Sequence, residues 1–192
     1  ATLPKQQAMK DMFQLVMDHR QHTTALSFWL MLHAETPGIQ YDLSDTLQIS
    51  VDLNTLTPNL PVSHAIRGNF YARNGFLAQA RDPYEIAIEQ FLEWKQFQQI
   101  EMADCALLTK SRLQLISIYY AMGEFNKALD IAERLAMMPV NEKRPFSQVT
   151  KLQLWECRVM PTKLYMSRNR AGDIYKAQNA MPKREEVERW LK

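Results

Sequence analysis

The strongest constraint on the fold is a helix–turn–helix pattern between Ser111 and Pro139. On both sides of Gly123, apolar and aromatic residues recur at three- and four-residue steps, the period of an amphipathic helix. They are Leu115, Ile116, Tyr119 and Tyr120 before the glycine, and Phe125, Ala128, Leu129, Ala132, Leu135 and Ala136 after it. Gly123 has no side chain, so it can end a helix and turn the chain sharply. Two helices joined by so short a turn run antiparallel and bury their apolar faces against each other.

This segment resembles the tetratricopeptide repeat, a helix–turn–helix unit of about 34 residues. The residues that match the family's pattern are Leu115, Tyr119, Gly123, Phe125, Ala128 and, one position early, Pro139. Arg112 replaces the tryptophan that opens the pattern. The resemblance implies helix pairs stacked into a solenoid, with the first helices lining a groove that binds extended or helical peptides of partner proteins.

Composition favours an all-α chain and does not indicate an enzyme. The 192 residues include only 5 Gly, with 11 Met, which favours helices over sheets. No run of about 18 apolar residues occurs, so no membrane span is expected. The glycine-rich motifs of nucleotide-binding and hydrolase sites are missing from the sequence, so we expect neither catalysis nor a cofactor.

The sequence does not identify a cellular compartment, although the cytoplasm is favoured. Cys105 and Cys157 are isolated and neither require nor exclude a disulfide. The chain begins at Ala1 rather than Met, so we expect it to be processed or part of a longer protein.

We predict a single tetratricopeptide-like domain of about ten helices over residues 1–192. Its parts are a hairpin at 5–37, an irregular helix and connector at 42–61, the two best repeats at 62–98 and 101–139, and basic helices with a terminal cap at 146–192. These last helices are expected near 146–159, 161–170 and 174–180, followed by a polar end helix. The alternation of apolar residues within 47–53 also fits a strand, but a lone strand would have no partner, so a helix is preferred.

The register of residues 62–98 depends on one choice. Asn74-Gly75 can form a turn. We instead predict a continuous helix over 62–81, because Asp82-Pro83 is a strong helix-start signal. In that register Ala87 in the first of these two repeats is equivalent to Ala128 in the second, and the two alanines are 41 residues apart.

The charge is distributed unevenly along the chain. From Val140 onward there are 12 basic and 6 acidic residues, a net +6, and the remaining 11 and 15 give −4. This asymmetry suits a protein partner or head-to-tail packing of copies. Basic residues alternate with Tyr165 and Tyr175. Surfaces of this kind bind nucleic acid in some proteins and acidic peptides in others, and elsewhere they only keep a helix soluble. Because the pattern does not distinguish these uses, a nucleic-acid partner is not favoured. The basic residues are Arg158, Lys163, Arg168, Arg170 and Lys176.

Residues capable of chemistry have simpler structural explanations. His19 and His22 lie at a predicted turn without cysteine neighbours, so no metal site is predicted. His33 and His64 are isolated, and both cysteines lie on apolar helices, where core packing is expected. The carboxylates of Glu85, Glu89 and Glu93 recur every four residues, as on a solvated helix face.

The binding-site prediction comes from the family resemblance. By that analogy, two first helices turn polar residues toward a groove: Arg67, Tyr71 and Asn74 on one, and Lys110, Arg112 and Gln114 on the other. Basic residues with amides suit an acidic or carboxylate-ended peptide. We therefore predict a non-catalytic adaptor or scaffold. The alternative is a sensory or oligomerisation domain of a bacterial transcriptional regulator, and a homo-oligomer is compatible with either.

Overall fold

The computed structural model describes residues 4–36, 43–96, 102–137 and 151–191. Over these ranges the chain forms ten α-helices and no strand, and neighbouring helices pack in pairs, which confirms the predicted all-α fold. The helices are α1 (Pro4–Asp18), α2 (Thr23–Glu35), α3 (Leu43–Leu56), α4 (Pro61–Arg73), α5 (Leu77–Gln96), α6 (Met102–Ala121), α7 (Phe125–Ala136), α8 (Lys151–Arg168), α9 (Asp173–Ala180) and α10 (Arg184–Leu191). Within the described ranges, none of them is long and apolar enough to cross a bilayer.

The chain divides into two compact units, Ala1–Gln90 and Phe91–Lys192. A single continuous array over residues 1–192 stays a prediction. The predicted end of the first hairpin at residue 37, the pattern residue Pro139 and the predicted helix start near 146 lie outside the described residues.

The core of the first unit forms around Trp29 on α2. Trp29 is fully buried, the ring centroid of Phe13 lies 5.0 Å from its own, and its indole N–H donates to Thr46 Oγ1 at 3.4 Å. The buried members of this core come from α1, α2, α3 and α4: Met9, Val16, Leu26, Trp29, Leu30, Ile49, Leu53, Ile66 and Phe70. The predicted hairpin is thus found as α1 and α2. Within the predicted irregular helix and connector at 42–61, residues 43–56 form the helix α3.

The predicted continuous helix over 62–81 is wrong, because the chain turns at Gly75. Gly75 has a φ of +81°, which residues with a side chain rarely adopt. Pro83, which was predicted to start a helix, lies inside α5. A proline within a helix costs one backbone hydrogen bond, whereas a turn at Gly75 supplies hydrogen bonds to more than one carbonyl group at the end of the helix.

The same backbone corner ends α4 and α6. In each, two N–H groups after the helix donate back to carbonyls of its last turn, and a glycine with positive φ makes this geometry accessible. The bonds run from Phe76 to Tyr71 (2.9 Å) and Gly75 to Ala72 (3.2 Å), and from Glu124 to Tyr119 (2.8 Å) and Gly123 to Tyr120 (3.0 Å). The two hairpins therefore repeat one motif at an interval of 48 residues.

Aligning the two glycines corrects the predicted register. Ala80 takes the place of Ala128, and both are fully buried, so the predicted equivalence of Ala87 with Ala128 at 41 residues is wrong. In the corrected register Arg67 stands where the second hairpin has Leu115, which is 3% exposed. An arginine therefore occupies a position that is apolar and buried in the other hairpin.

The second unit is built from α6 to α10. The helix–turn–helix predicted from the sequence is found as α6 and α7, and fully buried Ala128 and Ala132 allow their close approach. The predicted break between helices at 146–159 and 161–170 is wrong, because α8 continues through Pro161. The predicted helices at 174–180 and at the end of the chain are found as α9 and α10.

Candidate functional site

Two predicted binding residues of the first unit belong to a polar cluster between α3 and α4. We call it the Arg67 cluster, formed by Ser50 and Asn54 on α3 and by His64, Arg67 and Tyr71 on α4. Residues three and four apart share a helix face, so both helices present these side chains to each other.

Arg67 is held by neutral groups. Its Nε donates to Ser50 Oγ at 3.3 Å, and its Nη1 donates to Asn54 Oδ1 at 2.5 Å and to His64 Nδ1 at 3.4 Å. Within residues 4–36, 43–96, 102–137 and 151–191, no carboxylate pairs with Arg67 and Nη2 has no hydrogen-bond partner. The half-buried guanidinium is thus fixed in position while its charge is not neutralised.

The proton position on His64 follows from its contacts. His64 Nε2 lies 2.8 Å from the carbonyl oxygen of Pro58, which can only accept, so Nε2 carries the proton and Nδ1 accepts from Arg67. Burial lowers the pKa of His64; the Pro58 hydrogen bond opposes this, and the charge of Arg67 adds to it. His64 is therefore a neutral acceptor for the guanidinium at neutral pH.

Tyr71 and Asn74 have separate roles. Ser50 Oγ donates to the Tyr71 hydroxyl at 3.2 Å, so Tyr71 is part of the Arg67 cluster. Asn74 lies at the corner after α4, where its Nδ2 donates to the carbonyl of Phe70 at 2.8 Å. Its amide therefore closes the end of the helix.

The other three predicted binding residues lie on α6, in the second unit, and do not share one face. Lys110 is exposed, whereas Arg112 and Gln114 are half-buried. Burial lowers the pKa of Arg112, nearby Cys157 raises it and Arg134 lowers it. Residues two apart on a helix point in different directions, so Arg112 faces Cys157 on α8 while Lys110 faces solvent. A groove that would hold both sets of residues stays a prediction.

The residues considered for catalysis or metal binding are dispersed. His19 and His22 are exposed at the turn between α1 and α2, and Glu85, Glu89 and Glu93 follow one another along α5. In the part of the chain that the structure describes, no three His, Cys, Asp or Glu side chains are grouped to hold a metal ion.

Two of these residues pack into the cores, His33 half-buried and Cys157 buried. The ring of His33 packs edge-on against Phe70, with centroids 5.4 Å apart, and its Nδ1 is buried without a hydrogen bond. Cys157 is 1% exposed, and burial, with the charge of Glu156, raises the pKa of its thiol to about 11. The side chain of Cys105 lies outside those described.

The structure shows an arginine–aspartate ion pair between α8 and α9 that was not predicted from the sequence. Arg168 Nε donates to Asp173 Oδ2 at 2.8 Å and Nη2 to Oδ1 at 2.5 Å, and the guanidinium carbon lies 4.0 Å from the ring centroid of Phe125. Asp173 is 1% exposed, and the hydrogen bond from Arg168 lowers its pKa to about 2. The sequence feature that could have indicated this pair is Asp173, which directly follows Gly172 at the start of a helix and lies five residues after Arg168.

No family model, curated protein or solved structure matches this chain. The resemblance to the tetratricopeptide repeat and any assignment of function are therefore proposals that depend on the residues of this chain.

Proposed function

We propose that this chain is a non-catalytic protein-binding module, and that Arg67 receives a carboxylate of a partner protein. The main observation in support is that the half-buried guanidinium is fixed by Ser50, Asn54 and His64 and has no acidic partner among the described residues. Arginine binds carboxylates through charge-assisted hydrogen bonds, and a donor that is already fixed loses less entropy on binding. The expected partner is an acidic or carboxylate-ended peptide.

The unsatisfied donor capacity of Arg67 supports this choice. Nε and Nη1 are bound within the cluster, which leaves Nη2 for a ligand. A partly desolvated charge among neutral groups retains attraction for an anion, because no internal countercharge offsets it. The resemblance to the tetratricopeptide repeat supports the same face, since α4 is the first helix of its hairpin.

Peptide binding tests the proposal. A library of peptides with acidic C-terminal sequences is prepared as free acids and as C-terminal amides, and binding is measured for the wild type, Arg67→Met and Arg67→Lys. We expect Arg67→Met to weaken free-acid binding by about ten- to a hundredfold, the size of a lost charge-assisted hydrogen bond. Arg67→Lys keeps the charge without the planar donors and should fall between the two.

Arg73→Met is the matched control, because Arg73 is an exposed arginine on the same helix. It should bind free-acid peptides like the wild type. Thermal melts establish that every variant is folded. Equal binding of acids and amides, or wild-type affinity in folded Arg67→Met, would overturn the proposal.

A second candidate, an oligomerisation domain of a transcriptional regulator, is favoured by opposite charges on the two units. Residues 1–90 carry 6 basic and 9 acidic side chains, a net −3, and residues 91–192 carry 17 and 12, a net +5. This candidate predicts a DNA-binding domain elsewhere in the same polypeptide, which the full-length gene would reveal.

A further inference from the structure

The first unit exposes one side of α2, which has two large apolar residues at its centre and a polar residue at each end. We call this side the head face: Thr24, Phe28, Met31 and Glu35. Phe28 is 50% exposed and Met31 49%, and their spacing of three residues places them on one side of the helix. Thr24 and Glu35, also exposed, extend this stripe. Leu26, Trp29 and Leu30 on the opposite side of α2 are buried in the core. The exposed apolar residues of the head face are therefore not needed to fill that core.

The second unit exposes apolar side chains on α8 and α9 together with basic ones. We call this the tail face: Lys163, Met166, Arg170, Ile174 and Tyr175. Met166, Ile174 and Tyr175 are 58%, 61% and 69% exposed, and the basic residues Lys163 and Arg170 are exposed as well. Large apolar side chains exposed to this extent on one hairpin are typical of an interaction surface.

We propose that the head face of one copy binds the tail face of a second copy. Charge complementarity identifies the occupant, because the head face ends at the exposed carboxylate of Glu35, whereas the tail face carries the exposed cations Lys163 and Arg170. The net charges of the two units, −3 for residues 1–90 and +5 for residues 91–192, have the same signs. Both faces have an apolar centre, so contact removes Phe28, Met31, Ile174 and Tyr175 from water and brings opposite charges together. One chain thus carries both halves of an interface.

The geometry is heterologous, with different surfaces of the two copies in contact. A symmetric pairing of two head faces or two tail faces would oppose like charges, which disfavours it. This interface uses no residue of the Arg67 cluster and does not depend on the peptide binding proposed above.

Complementation between two blocked variants tests this arrangement. Phe28→Lys with Met31→Lys places positive charge on the head face, which the basic residues of the tail face repel, and Ile174→Asn with Tyr175→Asn removes the large apolar side chains of the tail face without adding charge. Sedimentation velocity measures association of the wild type, each variant and their equimolar mixture over about a hundredfold concentration range, because association follows mass action. Val51→Lys, at a 48% exposed position on α3, is the matched control.

We expect the wild type and Val51→Lys to associate, more weakly at high salt because the charges are screened. Each blocked variant should stay monomeric alone. Their mixture should form a complex of two chains that grows no further, since one intact head face meets one intact tail face. Circular dichroism establishes folding of each variant. A monomeric wild type, association of either blocked variant alone, or a mixture that stays monomeric would overturn the proposal.

Discussion

The ring of Tyr84 lies directly against Gly68, so that a Cβ atom at position 68 would come within 2.8 Å of Tyr84 Cγ. Tyr84 is 2% exposed, so its ring has little space into which to move. This contact joins α4 to α5 within the first unit and requires a residue without a side chain on α4.

Gly68→Ala is therefore expected to destabilise the first unit. Overpacking a core costs about 1–3 kcal/mol, which exceeds the roughly 1 kcal/mol that alanine gains over glycine in a helix. We expect a net loss of about 1 kcal/mol in the free energy of unfolding, measured by urea denaturation. In a Tyr84→Leu background the ring is gone, and the same substitution should be neutral or stabilising. An equal loss in both backgrounds would contradict this explanation.

The buried His64 predicts a pH-dependent stability. Its pKa is lowered from the ordinary value of 6.5 chiefly by burial, so the unfolded chain takes up a proton at a higher pH than the folded one. The contribution to stability is complete above pH 6.5 and is lost as the pH falls toward the folded-state pKa. Urea denaturation from about pH 7 to 5 should show this decrease, and His64→Gln should reduce its slope.

Part of the slope should remain in His64→Gln, because burial also lowers the pKa of His33. His19→Gln changes an exposed histidine and serves as the control. A slope that is the same in wild type and His64→Gln would show that His64 is not responsible.

The pair of Arg168 with Asp173 predicts an acid-sensitive second unit. Because the folded-state pKa of Asp173 is lowered from 3.8 to about 2, its contribution is present above pH 3.8 and is lost as the pH falls through about 2. Asp173→Asn removes the charge but keeps the shape, so we expect a lower melting temperature at neutral pH and a smaller loss on acidification. Arg184→Gln breaks the exposed pair with Glu188 and should change the melting temperature little. A melting temperature unchanged by Asp173→Asn would contradict this role.

Cys157 should be unreactive in the folded protein. Its thiol is buried and has a pKa of about 11, whereas the thiolate is the reactive form. In a Cys105→Ser background, modification by a disulfide reagent at neutral pH should be at least about a hundredfold slower than in denaturant, since reaction requires opening of the structure. Modification in buffer at the rate of the denatured chain would contradict the buried position.

Helix positions were predictable because apolar periodicity reports which side of a helix faces a core. The α6–α7 hairpin followed from Gly123 and the apolar residues on either side of it, and the helical form of residues 43–56 followed from the lack of a strand partner. The α4–α5 hairpin was not predicted, because Gly75 and Pro83 gave competing local signals. Their balance depends on backbone hydrogen bonds at the corner, which sequence spacing does not reveal.

The error at Gly75 also concealed the environment of Arg67. In the predicted register Arg67 lined an open groove, whereas in the observed one it stands at an inward position and contacts Ser50 and Asn54. The family analogy thus led to Arg67 as a predicted binding residue, but the sequence could not identify the side chains that hold it, and its binding role stays a prediction. The pair of Arg168 and Asp173 was missed for a related reason, since a basic stretch resembles a solvated face until a buried carboxylate is found opposite it.

The Arg67 cluster limits how this chain can be altered by substitution. Replacing Arg67 alone with leucine, the residue of the corresponding position in the second hairpin, would leave the buried hydroxyl of Ser50 and the Nδ1 atom of His64 without their donor. Replacing Ser50 or His64 alone would leave the guanidinium under-bonded instead. Protein engineering toward an all-hydrocarbon interior would have to exchange these residues together, and the same exchange would remove the guanidinium for which we propose carboxylate binding.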